Sequence, residues 1–167
     1  MDTGDFNSNT RVIYREDNVK LLFENWRKYL NEISLGTPTK DVSYTAFVLE
    51  DNSKLLEYVP EGWKTYAHHM TIIPPPEMKR RLPSRWLDYS GCLKVVGVAQ
   101  NEQVVTARVS LGDLPIPMKI KGLPHITIAT NPETGGQPVM SNNFMEEDFQ
   151  PIDVFEVCGY VEEVLKK

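Results

Sequence analysis

From residue 42 onward the chain is a succession of short β-rich segments closed by proline, glycine or asparagine, and this punctuation constrains its fold most. VSYTAFVL (42–49), AHHMTII (67–73), CLKVVGVAQ (92–100), QVVTARVSL (103–111), PHITIAT (124–130) and PIDVFEVCGYVEEV (151–164) are rich in the branched and aromatic residues that suit a pleated surface. The segments 92–100 and 103–111 flank Asn101-Glu102, a spacing that predicts a hairpin. Asn52 or Ser53 is placed to cap a short helix within 52–59. Ahead of this region, Val19, Leu22, Phe23, Trp26, Leu30 and Ile33 recur at three and four, which predicts an amphipathic helix from Glu16 to Ser34, stopped by Gly36 and Pro38. The expected organisation is therefore an N-terminal tail and helix over 1–39, which docks on the domain or mediates self-association, and one domain over 40–167. The fold class is α+β, mostly antiparallel sheet.

Composition limits what such a domain can be. With 41% hydrophobic residues in 167, the chain can bury a core of its own. No apolar run approaches the ~20 residues of a membrane-spanning helix, and the acidic opening MDTGDFNSN is unlike a signal peptide, so an intracellular, cytoplasmic protein with no membrane partner is expected. Cys92 and Cys158 are too few for a disulfide scaffold and lie in apolar stretches; they are expected to be reduced, core-packed thiols. A net charge of −5 argues against coating long nucleic acid by electrostatics alone, while leaving room for a pocket that grips one phosphate. Seven acids and no base lie between 146 and 163, whereas Lys79, Arg80, Arg81 and Arg85 form a basic segment.

The chain has three histidines, and two of them open the same pattern: His69-Met70-Thr71-Ile72 and His125-Ile126-Thr127-Ile128. Strand side chains alternate, so each segment offers an imidazole and a hydroxyl to one face and two large apolar groups to the other. Cleaving a phosphodiester by in-line displacement needs a base on the attacking oxygen and an acid on the departing one, and histidine serves as either near neutral pH. Threonine hydroxyls donate to the non-bridging oxygens, where charge concentrates. A metal centre is the competing use. The adjacent His68 and His69 point to opposite faces of a regular strand, and no cysteine or acid has ligand spacing to either motif, so neither a metal nor a cofactor is expected.

The paired H-x-T-I segments, with YTAFVL as a first strand, KGLPHITIAT entering the second motif and EVCGYVEEV closing the chain, resemble the two-histidine (2H) phosphoesterase superfamily of 2′-5′ RNA ligase-like proteins and cyclic phosphodiesterases. The resemblance covers about residues 42 to 164 and is specific only at the two motifs. It implies a bilobal fold with pseudo-twofold symmetry around a central cleft, plus the N-terminal helical arm. It makes His69 and His125 the acid–base pair and Thr71 and Thr127 the phosphate donors. The 56 positions between the motifs are fewer than the family pattern, so at least one lobe is trimmed and the specificity loops are in question.

Tyr44 and Trp86 are candidates for stacking on a base, and Arg80, Lys119 and Lys121 for contacting a substrate backbone. The function expected is metal-independent hydrolysis of RNA 3′ ends carrying a 2′,3′-cyclic phosphate, with a 2′-phosphate product. Two alternatives remain beside it. One is hydrolysis of a 2′-5′ oligonucleotide or a cyclic-oligonucleotide signal of phage counter-defence type, which fits the similarity of LFENWRKYLNE to short helices of T4-like phage proteins. In that case the protein is phage-encoded and acts in the host cytoplasm. The other is a non-catalytic module that binds RNA ends or joins an assembly, for which two proton-transfer residues are superfluous.

Overall fold

The computed structural model describes residues 42–74, 86–87, 89–112 and 122–166. The strands are β1 (Val42–Leu49), β2 (Lys64–Thr65), β3 (His69–Ile73), β4 (Ser90–Gln100), β5 (Val104–Ser110), β6 (His125–Thr130) and β7 (Gln150–Leu165). One helical turn, α1 (Ser53–Leu56), follows β1, and two 3-10 turns, Pro138–Asn143 and Glu146–Asp148, lie between β6 and β7. Each predicted strand is present to within two residues at either end. The predicted hairpin is the antiparallel β4–β5 pair, with the Asn101 side chain accepting from the backbone N–H groups of Gln103 and Val104 at its tip. At α1, Asn52 holds the N-cap position without a side-chain cap, and Asp51 accepts from the Ser53 N–H instead.

The strands run in the order β6–β3–β1–β7–β4–β5, and β5 pairs back onto β6, closing a six-stranded antiparallel barrel; β2 continues the β3 edge along β6. This overturns the expected bilobal α+β fold: a single closed barrel with few helical residues takes the place of two lobes around a central cleft. The physical reason lies in the apolar alternation. Phe47 pairs with Met70, Met70 with Ile126, and Ile126 with Ala107, while Phe47 also faces Val161. All five are fully buried, as are Ile72, Ile128, Leu93, Val95, Val105 and Val109. Every strand of the ring thus contributes to one apolar interior, where a large side chain adds about 1.5–3 kcal/mol. The predicted N-terminal helix lies outside the described residues, so the helical arm has no counterpart among them. None of the described helices is long and apolar enough to cross a membrane.

Two further expectations are corrected. Cys92 and Cys158 are directly opposed in the β4–β7 ladder and form a disulfide, with both residues exposed on the outer face rather than packed in the core as thiols. Alternation decides this: Leu93 and Val157, their neighbours, take the interior positions. Gly159, next along β7, lies so close to β1 that a Cβ there would stand 2.0 Å from the Val48 carbonyl oxygen.

Candidate active site

The outer face begins where the interior row ends. Register carries it from Lys94 and Glu156 through the disulfide to Tyr160 and Glu162 on β7, then to Val48 and Ala46 on β1, and on to His69 and Thr71 on β3. The Met70–Ile126 pair fixes the next step. His69 and Thr71 flank Met70 on β3, and His125 and Thr127 flank Ile126 on β6, all four on the outer face; toward Ala67 the register shifts, its N–H bonding to the Thr127 and Ile128 carbonyls. Two imidazoles and two hydroxyls thus flank one buried pair on neighbouring strands. The pseudo-twofold arrangement of two lobes expected from the resemblance is therefore overturned here too: the two motif strands are neighbours on the outside of one barrel and do not face each other across a cleft.

All four residues are half-buried. The Nδ1–H of His125 donates to the Leu123 carbonyl at 2.7 Å, which fixes its tautomer and leaves Nε2 as the acceptor. Burial lowers the His125 pKa, the Leu123 hydrogen bond opposes that shift, and the nearby Arg108 charge adds to it. Burial, and then the neighbouring His68, push His69 down to about 4. Both imidazoles are therefore neutral near pH 7. The Thr127 hydroxyl lies 2.9 Å from the Ser141 hydroxyl and can donate to the Pro138 carbonyl at 3.4 Å. The first 3-10 turn thus closes over this corner.

The candidate residues from the sequence divide into three sets. Tyr44 is brought to the site: its ring stacks on His69 with centroids 5.2 Å apart, and burial together with Glu162 raises its pKa. Trp86 meets the edge of Tyr89 at 6.0 Å. Arg80, Lys119, Lys121 and the basic segment 79–85 lie outside the described residues.

The placing of His68 corrects an expectation. Its ring meets that of His69 edge-on at 4.4 Å instead of pointing to the opposite face. It stands at a bend before β3 begins, where strand alternation does not apply, and its Nδ1 contacts the Tyr66 carbonyl. Even so, no three His, Cys, Asp or Glu side chains converge as a metal-ligand group among the described residues.

Two residues of the site had no signal in the motifs. Ser141 lies 14 positions beyond Thr127 in a segment without periodicity. Arg108 stands opposite His125 across β5 and β6, and an arginine in the middle of an apolar strand is the one sign that its face is special. Two cavities lie elsewhere: one of about 590 Å³ lined by Trp63, Gln100, Asn101, Glu102, Asn131 and Thr134, and one of about 210 Å³ beside Asp51, Lys54 and Cys158. Neither touches the quartet. Compared with family models, curated proteins and solved structures, the chain matches none.

Proposed function

We propose that the protein is a phosphodiesterase that needs no metal ion and uses His69 and His125 as its proton-transfer pair. The observation that carries this reading is that β3 and β6 are neighbours, joined at the Met70–Ile126 pair, with half-buried His69, Thr71, His125 and Thr127 flanking it. A phosphorus atom between the two strands would take one imidazole from each, on the two sides that in-line displacement requires, and a hydroxyl from each for its other oxygens. Because the Leu123 carbonyl presents Nε2 of His125 as an acceptor, His125 is assigned the base and His69 the acid. His125 takes a proton from water as its oxygen bonds to phosphorus. The bond to the departing ribose oxygen breaks, and His69 gives that oxygen its proton. A phosphate anion beside His69 raises its low pKa and loads it for this step. Thr71 and Thr127 donate to the non-bridging oxygens, with Ser141 directing the Thr127 hydroxyl.

The substrate proposed is RNA ending in a 2′,3′-cyclic phosphate, opened to a 2′-phosphate. The test is a panel of 2′,3′-cyclic-phosphate RNA, 2′-5′ oligoadenylate and cyclic dinucleotides, with products assigned by mass and phosphorus NMR. Turnover of the first member with a 2′-phosphate product is expected. Turnover of another member alone moves the substrate assignment, and turnover of none from folded protein contradicts the catalytic reading.

A further inference from the structure

The quartet accounts for one phosphate, yet its outer face continues past His125 to a charge that one phosphate does not use. Arg108 pairs with His125 across β5 and β6 and shares its face. Its guanidinium is held firmly: Nη1 donates to the Val109 carbonyl at 2.5 Å and to the Pro124 carbonyl at 3.2 Å, and Nε donates to Glu146 at 3.1 Å. Those contacts leave the two N–H donors of Nη2 with no partner among the described residues. The arginine side chain is 19% exposed, whereas Glu146 is 67% exposed on the second 3-10 turn. Among the described residues this shielded, oriented cation therefore has one anionic partner, a side chain that reaches it from solvent.

We infer that Arg108 binds a second phosphate of the substrate, one nucleotide away from the scissile one on the His125 side, so that the site selects an oligonucleotide over a mononucleotide. This rests on the phosphodiesterase reading above. The scissile phosphorus lies over the gap between β3 and β6. Arg108 is on the strand beyond β6, one and a half strand spacings away, or about 7 Å. That is comparable to the step between neighbouring phosphates of a single strand. Arginine suits the role, because its planar fork binds two phosphate oxygens at once and stays charged at any working pH. Glu146 occupies the guanidinium in the free protein and gives way to the stronger anion; its exposure makes that exchange easy.

The test compares a mononucleoside 2′,3′-cyclic phosphate with the dinucleotide that carries the same end plus one internal phosphate. For the wild type, kcat/KM is expected to favour the dinucleotide at least tenfold, with the difference in KM. Arg108→Gln is expected to collapse that ratio toward one, Arg108→Lys to retain part of it, and Glu146→Gln to increase it. The same comparison by calorimetry, with the 3′-phosphates of the mononucleotide and dinucleotide, needs no turnover. There Arg108→Gln is expected to flatten the salt dependence of dinucleotide binding by about 0.7 in log–log slope, one phosphate contact on a single strand. A ratio unchanged in Arg108→Gln, whatever happens to the individual rates or affinities, overturns the inference and leaves Arg108 a structural residue. Activity retained in His125→Ala overturns the phosphodiesterase reading instead, while the calorimetric ratio still decides the role of Arg108.

Discussion

Burying His69 against Tyr44 and His68 has a consequence for folding that is measurable without any substrate. The imidazole titrates at about 4 in the fold, against 6.5 when free. Between those values the unfolded chain binds a proton that the folded chain refuses. Stability is therefore complete above pH 6.5, falls as the pH drops through this window, and levels off below about 4. At 1.36 kcal/mol per pH unit the full loss attributable to His69 is about 3 kcal/mol, a large fraction of the stability of a small domain. His125 shifts in the same direction and steepens the fall. Urea unfolding at half-unit steps from pH 7.5 to 4.5 measures the slope. The His69→Gln variant, which has no proton to refuse, is expected to show a shallower one, and imidazole NMR of the wild type gives the pKa directly. A His69 resonance that titrates near 6.5, or equal slopes in wild type and His69→Gln, refutes the burial argument and with it the neutral resting state of the pair.

Other expected outcomes follow from particular contacts. Ser141→Ala removes the hydroxyl that faces Thr127 at 2.9 Å; kcat is expected to fall several-fold with KM nearly unchanged, and steady-state kinetics beside Thr127→Val checks whether the two act as one unit. Replacing Cys92 and Cys158 by serine opens a cross-link spanning 66 positions and is expected to lower stability by about 2–4 kcal/mol, read by urea unfolding with the reduced wild type as control. Gly159→Ala forces a methyl group against the Val48 carbonyl and is expected to lower stability by about 1–3 kcal/mol or to prevent folding, as seen in the thermal midpoint.

The sequence disclosed the strands because their apolar alternation and their proline and glycine boundaries are local properties. It disclosed each His–Thr pair because residues two apart on a strand share a face, but not that the two pairs would lie on neighbouring strands. Closure was not legible in the same way. The β5–β6 pairing that turns a sheet into a barrel joins Val104–Arg108 to His125–Thr130, and nothing in either segment names the other as its partner. The cysteines show the limit of composition. An apolar segment suggested core thiols, but the register of β4 against β7 puts both on the outer face, directly opposed. His68 shows the opposite limit, since alternation does not govern a bend one residue before the strand begins. Ser141 and Arg108 reach the site only through the fold, from a 3-10 turn and a neighbouring strand.

The most direct test of the central claim is single-turnover hydrolysis, in excess EDTA, of an RNA ending in a 2′,3′-cyclic phosphate by wild type, His69→Ala and His125→Ala. The account predicts metal-independent turnover by the wild type, with a bell-shaped pH dependence, and a loss of about 10² or more in each variant, the contribution typical of a positioned acid or base. Turnover that persists in either folded variant, or that EDTA abolishes in the wild type, contradicts it.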